Sequence, residues 1–238
     1  MLPNKILPFL LLTLIASLPA WSASPTDWNA PRGRVVELHS CELFAGSCVV
    51  SSEVGMQNHY ALRVWQFDSG QLNGVPLTGL TVALLEKSDV NLADATKPAR
   101  AVVAYLPTGI SAEQKAALTA WARTNTTVKL GDADVKSVNL QTQIAEDKVT
   151  FFAGKDVVFN GGTPLACNVG GCGEMLWYQP RSETSSFVVD ELGQSRIVEP
   201  RLSLKWTDHG RRTLFVGRFG YTDLPVPALC GAPKTASL

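Results

Sequence analysis

The stretch Val138-Asn139-Leu140-Gln141-Thr142-Gln143-Ile144 alternates side chains of two kinds without a break. A period of two sends Val138, Leu140, Thr142 and Ile144 to one face of an extended chain and Asn139, Gln141 and Gln143 to the other, which predicts a half-buried strand. The same rhythm returns where Leu202, Leu204 and Trp206 alternate with Ser203 and Lys205. Beyond it Asp208-His209-Gly210 leads into the run Thr213–Phe219, and the glycine there predicts a tight hairpin turn with His209 in solvent.

Toward the N-terminus, short β-branched and aromatic runs stand between clusters of Gly, Asn, Asp and Pro. They predict strands over Arg34–Glu42, Cys48–Val54, Tyr60–Phe67, Thr81–Leu85 and Ala101–Leu106. One segment breaks the pattern. Ser111 is a good N-cap, Gln114 three residues later completes a capping box, and the alanine-rich run to Arg123 predicts a helix over 111–123. Ala117, Leu118 and Trp121 form its apolar stripe, while Glu113, Lys115 and Arg123 lie on the wetter side. The strand-helix-strand order around 101–130 predicts one parallel crossover. The fold class is therefore α+β, a mainly antiparallel β-sheet with one internal helix. It forms one β-rich domain over 23–238, with room for two sub-sheets at about 31–130 and 131–230.

The first residues carry a different signal. Lys5 is the only early charge, and the apolar run Ile6–Ala20 is too short for a membrane span and carries Pro8 and Pro19. With Ala20 and Ser22 at small-residue positions, residues 1–22 read as a secretory signal peptide cut after Ser22. The mature chain is then expected to be periplasmic or secreted, and not inserted in the membrane. With 21 basic and 21 acidic residues and no basic run, nothing favours nucleic acid. A protein partner or a metal stays open.

All five cysteines follow the predicted cut. In an oxidising compartment thiols pair or bind metal, and an odd count leaves one over. Cys41 and Cys48 would pair across a hairpin. The alternative joins them with His39, Met56 and His59 as soft ligands for copper or zinc, since His39 and Cys41 share a strand face. In Cys167-Asn-Val-Gly-Gly-Cys172, the glycines allow a tight loop that a Cys167–Cys172 disulfide would close. Its sharper alternative is a reactive thiol at Cys172, and cross-pairing with Cys41 or Cys48 is a further one. Cys230 is the unpaired thiol or a staple for the C-terminal tail. No nucleophile elbow, phosphate loop or dinucleotide motif is present, so no catalytic residue is assigned.

Val36-Glu37 leading to Cys41 and Cys48, Gly70 before Val75-Pro76-Leu77-Thr78-Gly79-Leu80, and Tyr105-Leu106-Pro107 before Ser111, Gln114 and Ala117-Leu118 carry a resemblance. Over roughly 33–125 the chain resembles a bacterial secreted family known only as a domain of unknown function. The resemblance implies the domain and no reaction. Three readings of function remain: an exported, disulfide-stabilised binding or accessory protein handling a soft metal such as copper, a thiol-dependent redox enzyme using Cys172, or a structural module without catalysis.

Overall fold

The computed structural model of the chain describes residues 29–41, 44–45, 58–92, 101–145, 148–164, 175–176 and 180–221. The predicted signal segment, the strand expected at Cys48–Val54, and Cys48, Met56, Cys167, Cys172 and Cys230 lie outside those residues. The first half runs through β1 (Arg32–His39), β2 (Phe44–Ala45), β3 (Tyr60–Ser69), β4 (Gln71–Leu72), β5 (Val75–Pro76), β6 (Thr81–Lys87) and β7 (Ala101–Pro107). Helix α1 (Ala112–Thr124) follows, then β8 (Val135–Val138), β9 (Leu140–Ile144), β10 (Val149–Ala153), β11 (Val157–Pro164) and β12 (Met175–Leu176). The two longest strands come last, β13 (Ser186–Glu199) and β14 (Leu204–Phe219).

Ten of these strands form one sheet in the order β8-β7-β6-β3-β1-β14-β13-β11-β10-β9. The mainly antiparallel sheet and, among the described residues, the single α-helix are as expected, but a plain α+β arrangement is too simple. The sheet curls into a near-closed barrel. Its two edges, β8 and β9, are consecutive in the chain with only Asn139 between them. The first half of this stretch bonds to β7 and the second to β10, which brings the sheet's far ends together. Two amides pin the crossing: Thr108 N–H donates to the Val138 carbonyl and Gly154 N–H to the Asn139 carbonyl, each at 3.0 Å.

The expected parallel crossover is β7-α1-β8, with Ala104 opposite Val135. Ser111 caps α1 and exchanges both capping-box bonds with Gln114. The two halves of the chain share the sheet, because β1 pairs with β14. The hairpin turn expected at Asp208-His209-Gly210 does not form. β14 runs straight through it, and the reversal falls instead at Pro200–Leu202 with Ser203 left-handed. β13 offers partners on both sides of Gly210, and the register shift between Asp190 and Leu192 absorbs the irregularity, so the ladder outweighs the local turn preference. His209 is exposed, as expected.

Alternation divides the sheet into two apolar faces. Val36, Leu38, Leu62, Val64, Leu85, Val103 and Phe151 fill the barrel interior. Val35, Trp65, Phe67, Val82, Leu84 and Leu106 line the outer face, where α1 lays Ala117, Leu118 and Ala122 against them. Trp121 closes that layer edge-on to Phe67, with ring centroids 5.1 Å apart.

Candidate functional site

Of the five residues expected around a soft metal, His39, Cys41 and His59 are described. His39 ends β1 on the outer face and is buried. Its ring is fixed by a chain of donors. The Asn58 Oδ1 accepts from the Ser40 N–H and hydroxyl, both at 3.1 Å, so its amide nitrogen must face His39 Nδ1, 2.6 Å away. That leaves Nε2–H to donate to Glu37 at 2.9 Å. Both imidazole nitrogens are therefore engaged within the protein. Cys41 is buried beside Phe215, with Phe187 and Val189 against it. His59 donates from Nδ1 to the Ser88 carbonyl at 3.1 Å. Among the described residues, no three His, Cys, Asp or Glu side chains stand close enough to hold a metal ion.

The same outer face carries a buried polar network. Glu37 accepts from the backbone amides of Arg181 and Ser182 as well as from His39. Glu86 pairs with Arg63 at 2.9 Å and with Arg181 at 3.4 Å, and accepts from the Thr126 hydroxyl at 3.0 Å. Arg63 also donates to the Asn125 carbonyl, and Arg181 to that of Leu92. Burial alone would raise the Glu37 pKa, but the His39 hydrogen bond, the Arg63 charge and Ser182 outweigh it and hold the carboxyl at about 2. Two acids and two guanidinium groups balance in charge. The network locks the segment at Arg181–Ser182 onto β1, β3 and β6.

A second cluster opens to solvent. Beside β8 lies a cleft of about 500 Å³, walled by Val135–Val138, the turn through Gly154 and Asp156, and Val198–Arg201. Tyr105 and Glu199 sit at its base. Each is two residues beyond an inward-facing apolar residue, Val103 and Ile197, so the strand period aims both into the barrel. Glu199 is fully buried and accepts from the Tyr105 hydroxyl and the Lys136 ammonium, each at 2.6 Å. Its other oxygen accepts from the Arg201 amide at 3.0 Å. Burial and the Glu199 charge push the Tyr105 pKa far up, so the phenol stays a donor. Burial works to raise the Glu199 pKa as well, but Lys136, Tyr105 and the Arg201 amide together lower it. Lys136 also lies over the Tyr105 ring, 5.8 Å from its centroid.

No family of known proteins, no curated protein and no solved structure matches this chain.

What marks the cleft is convergence. Tyr105, Lys136 and Glu199 come from three distant segments, and the Tyr105 hydroxyl and the Lys136 ammonium meet on the one Glu199 carboxylate. None of them stood out as a site residue in the sequence, although Tyr105 belongs to the Tyr105-Leu106-Pro107 motif. A weak signal was present: Lys136 lies two residues before Val138 and Glu199 two after Ile197, a charge at each place where an apolar period calls for a hydrophobe.

Proposed function

We propose that this chain is an exported binding module whose ligand occupies the cleft beside β8. The observation that carries the reading is the Lys136 ammonium, held by a buried Glu199 at the base of a cleft of about 500 Å³. Ligand clefts typically span about 300–1,000 Å³ and join a few fixed polar groups to apolar walls. Val135, Val138, Ala153 and Val157 supply the walls here. An ammonium has three donors, and Glu199 takes one, so Lys136 retains capacity for an acceptor. Asp156, which also lines the cleft, offers an acceptor for a ligand hydroxyl or amine. This combination suits a small polar molecule that carries a carboxylate or phosphate and at least one donor. The soft-metal reading receives less support, because both nitrogens of His39 already have partners.

A thermal-shift screen with dicarboxylates, sugar phosphates and amino acids, followed by calorimetry, tests the reading. A micromolar binder should emerge and lose at least tenfold in affinity in Lys136→Met, since a charge-assisted hydrogen bond contributes about 1.5–3 kcal/mol. If no compound shifts the melting temperature, or if Lys136→Met binds the best compound as tightly as the parent, the cleft is not the site.

A further inference from the structure

Asp190 is a carboxyl of the barrel interior that, unlike Glu199, has no partner among the described residues. In antiparallel pairs, residues opposite each other share a face. Asp190 pairs with Leu214, Leu214 with Leu38, Leu38 with Leu62, Leu62 with Leu85, and Leu85 with Val103. Every other member of that row belongs to the apolar interior. Asp190 is 0% exposed, and neither carboxyl oxygen has a hydrogen-bond partner among the described residues. An ionised carboxylate in such surroundings is far more costly than a protonated one.

The backbone around it is the least regular part of the ladder. β13 shifts register against β14 between Asp190 and Leu192, and β11 shifts against β13 on both sides of Gly161. Gly162 has φ +104°, and a Cβ there would lie 2.7 Å from the Lys148 Cα. The pairing that encloses Asp190 is thus interrupted on both flanks.

We propose that Asp190 is a built-in proton switch: its unpartnered burial in the closed barrel favours the neutral carboxyl, and ionisation loosens the β11–β13–β14 pairing at these bulges.

The charged groups on the packed strands do not offset the burial. Glu191, next to it on β13, is exposed, and β11 carries no charged residue. On β14, Arg211 is bound to Asp208 at 3.1 Å, and Arg212 is the next charged residue. On β1, Arg34 pairs with Asp68 and donates to the Ile144 carbonyl, while Glu37 and His39 belong to the outer-face network. Burial is the cause that raises the carboxyl from 3.8 to about 6. Between those values the folded state binds the proton that the unfolded state releases. Stability is therefore complete below about pH 4 and declines as pH rises through 6.

The test is equilibrium unfolding of the full chain from pH 4 to pH 8, for the parent, Asp190→Asn and Asp190→Leu, with amide exchange read on β11 and β13. The shift predicts that the unfolding constant of the parent rises about a hundredfold across this range relative to Asp190→Asn. Exchange in β11 and β13 should quicken over the same window in the parent alone. Asp190→Leu checks that removing the carboxyl, rather than adding an amide, flattens the profile. Parallel profiles for parent and Asp190→Asn would overturn the proposal. So would an Asp190 carboxyl that titrates below pH 4.5 by carbon-13 NMR. Neither result bears on ligand binding in the cleft.

Discussion

At the scale of single residues, the outer-face network shows how a polar side chain can be central to a fold and illegible in sequence. Glu37 lies between Val36 and Leu38 in a strand that alternates, so it reads as solvent-facing. Instead it is 1% exposed, covered by Arg181 and Ser182, which follow about 145 residues later. No local pattern encodes a cover from that distance. The cost of removing one partner from such a network is large, because the remaining donors stay buried. Glu37→Gln keeps the shape but turns an amide NH₂ toward donors. It should lower stability by about 2–4 kcal/mol, measured by chemical denaturation. A loss under 1 kcal/mol would mean that the Arg181–Ser182 segment is held by other contacts.

At the scale of elements, local chemistry was a good guide wherever an element is decided locally. Ser111 and Gln114 mark the start of α1, and both capping-box bonds form. Four of the five strands expected in the first half match β1, β3, β6 and β7 within a few residues, and the fifth, Cys48–Val54, lies outside the described residues. The failure at Asp208-His209-Gly210 has the opposite origin. A strand as long as β13 supplies partners that a turn would waste, and only the folded neighbour reveals this. Gly33 illustrates a constraint visible only once two strands meet. It sits at the register shift between β1 and β3, and a Cβ there would lie 2.0 Å from the Gln66 carbonyl oxygen. A backbone atom cannot yield as a side-chain tip can. Gly33→Ala should therefore cost about 2–3 kcal/mol in unfolding free energy, whereas Gly74→Ala, where a Cβ meets nothing within 4 Å, should cost less despite its φ of +80°. Equal losses in the two variants would place the penalty in conformation rather than in strand contact.

At the scale of the whole molecule, the barrel makes the two halves of the chain one cooperative object, with β14 wedged between β1 and β13. Strand periodicity revealed a β-rich chain but not closure, which depends on one stretch, Val135–Ile144, changing partners at Asn139. Two of the buried carboxyls respond to pH in opposite directions. On the outer face, the Glu37 pKa is lowered from 4.5 to about 2, so its contribution is complete above about pH 4.5 and disappears as pH falls through 2. The difference corresponds to about 3 kcal/mol. Inside, Asp190 acts in the other direction, weakening the fold as pH rises from about 4 through 6. The lowered pKa of Glu199 adds to the acid side. Together these set a stability maximum near pH 4–5, with a decline on either side. Melting temperatures measured by calorimetry from pH 2 to pH 8 should trace that dome. Asp190→Asn should raise its alkaline limb and leave the acid limb in place, while Glu37→Gln should lower the plateau and flatten the acid limb. A maximum near neutrality in the parent would mean that burial does not raise the Asp190 carboxyl, and that the proposed switch does not operate.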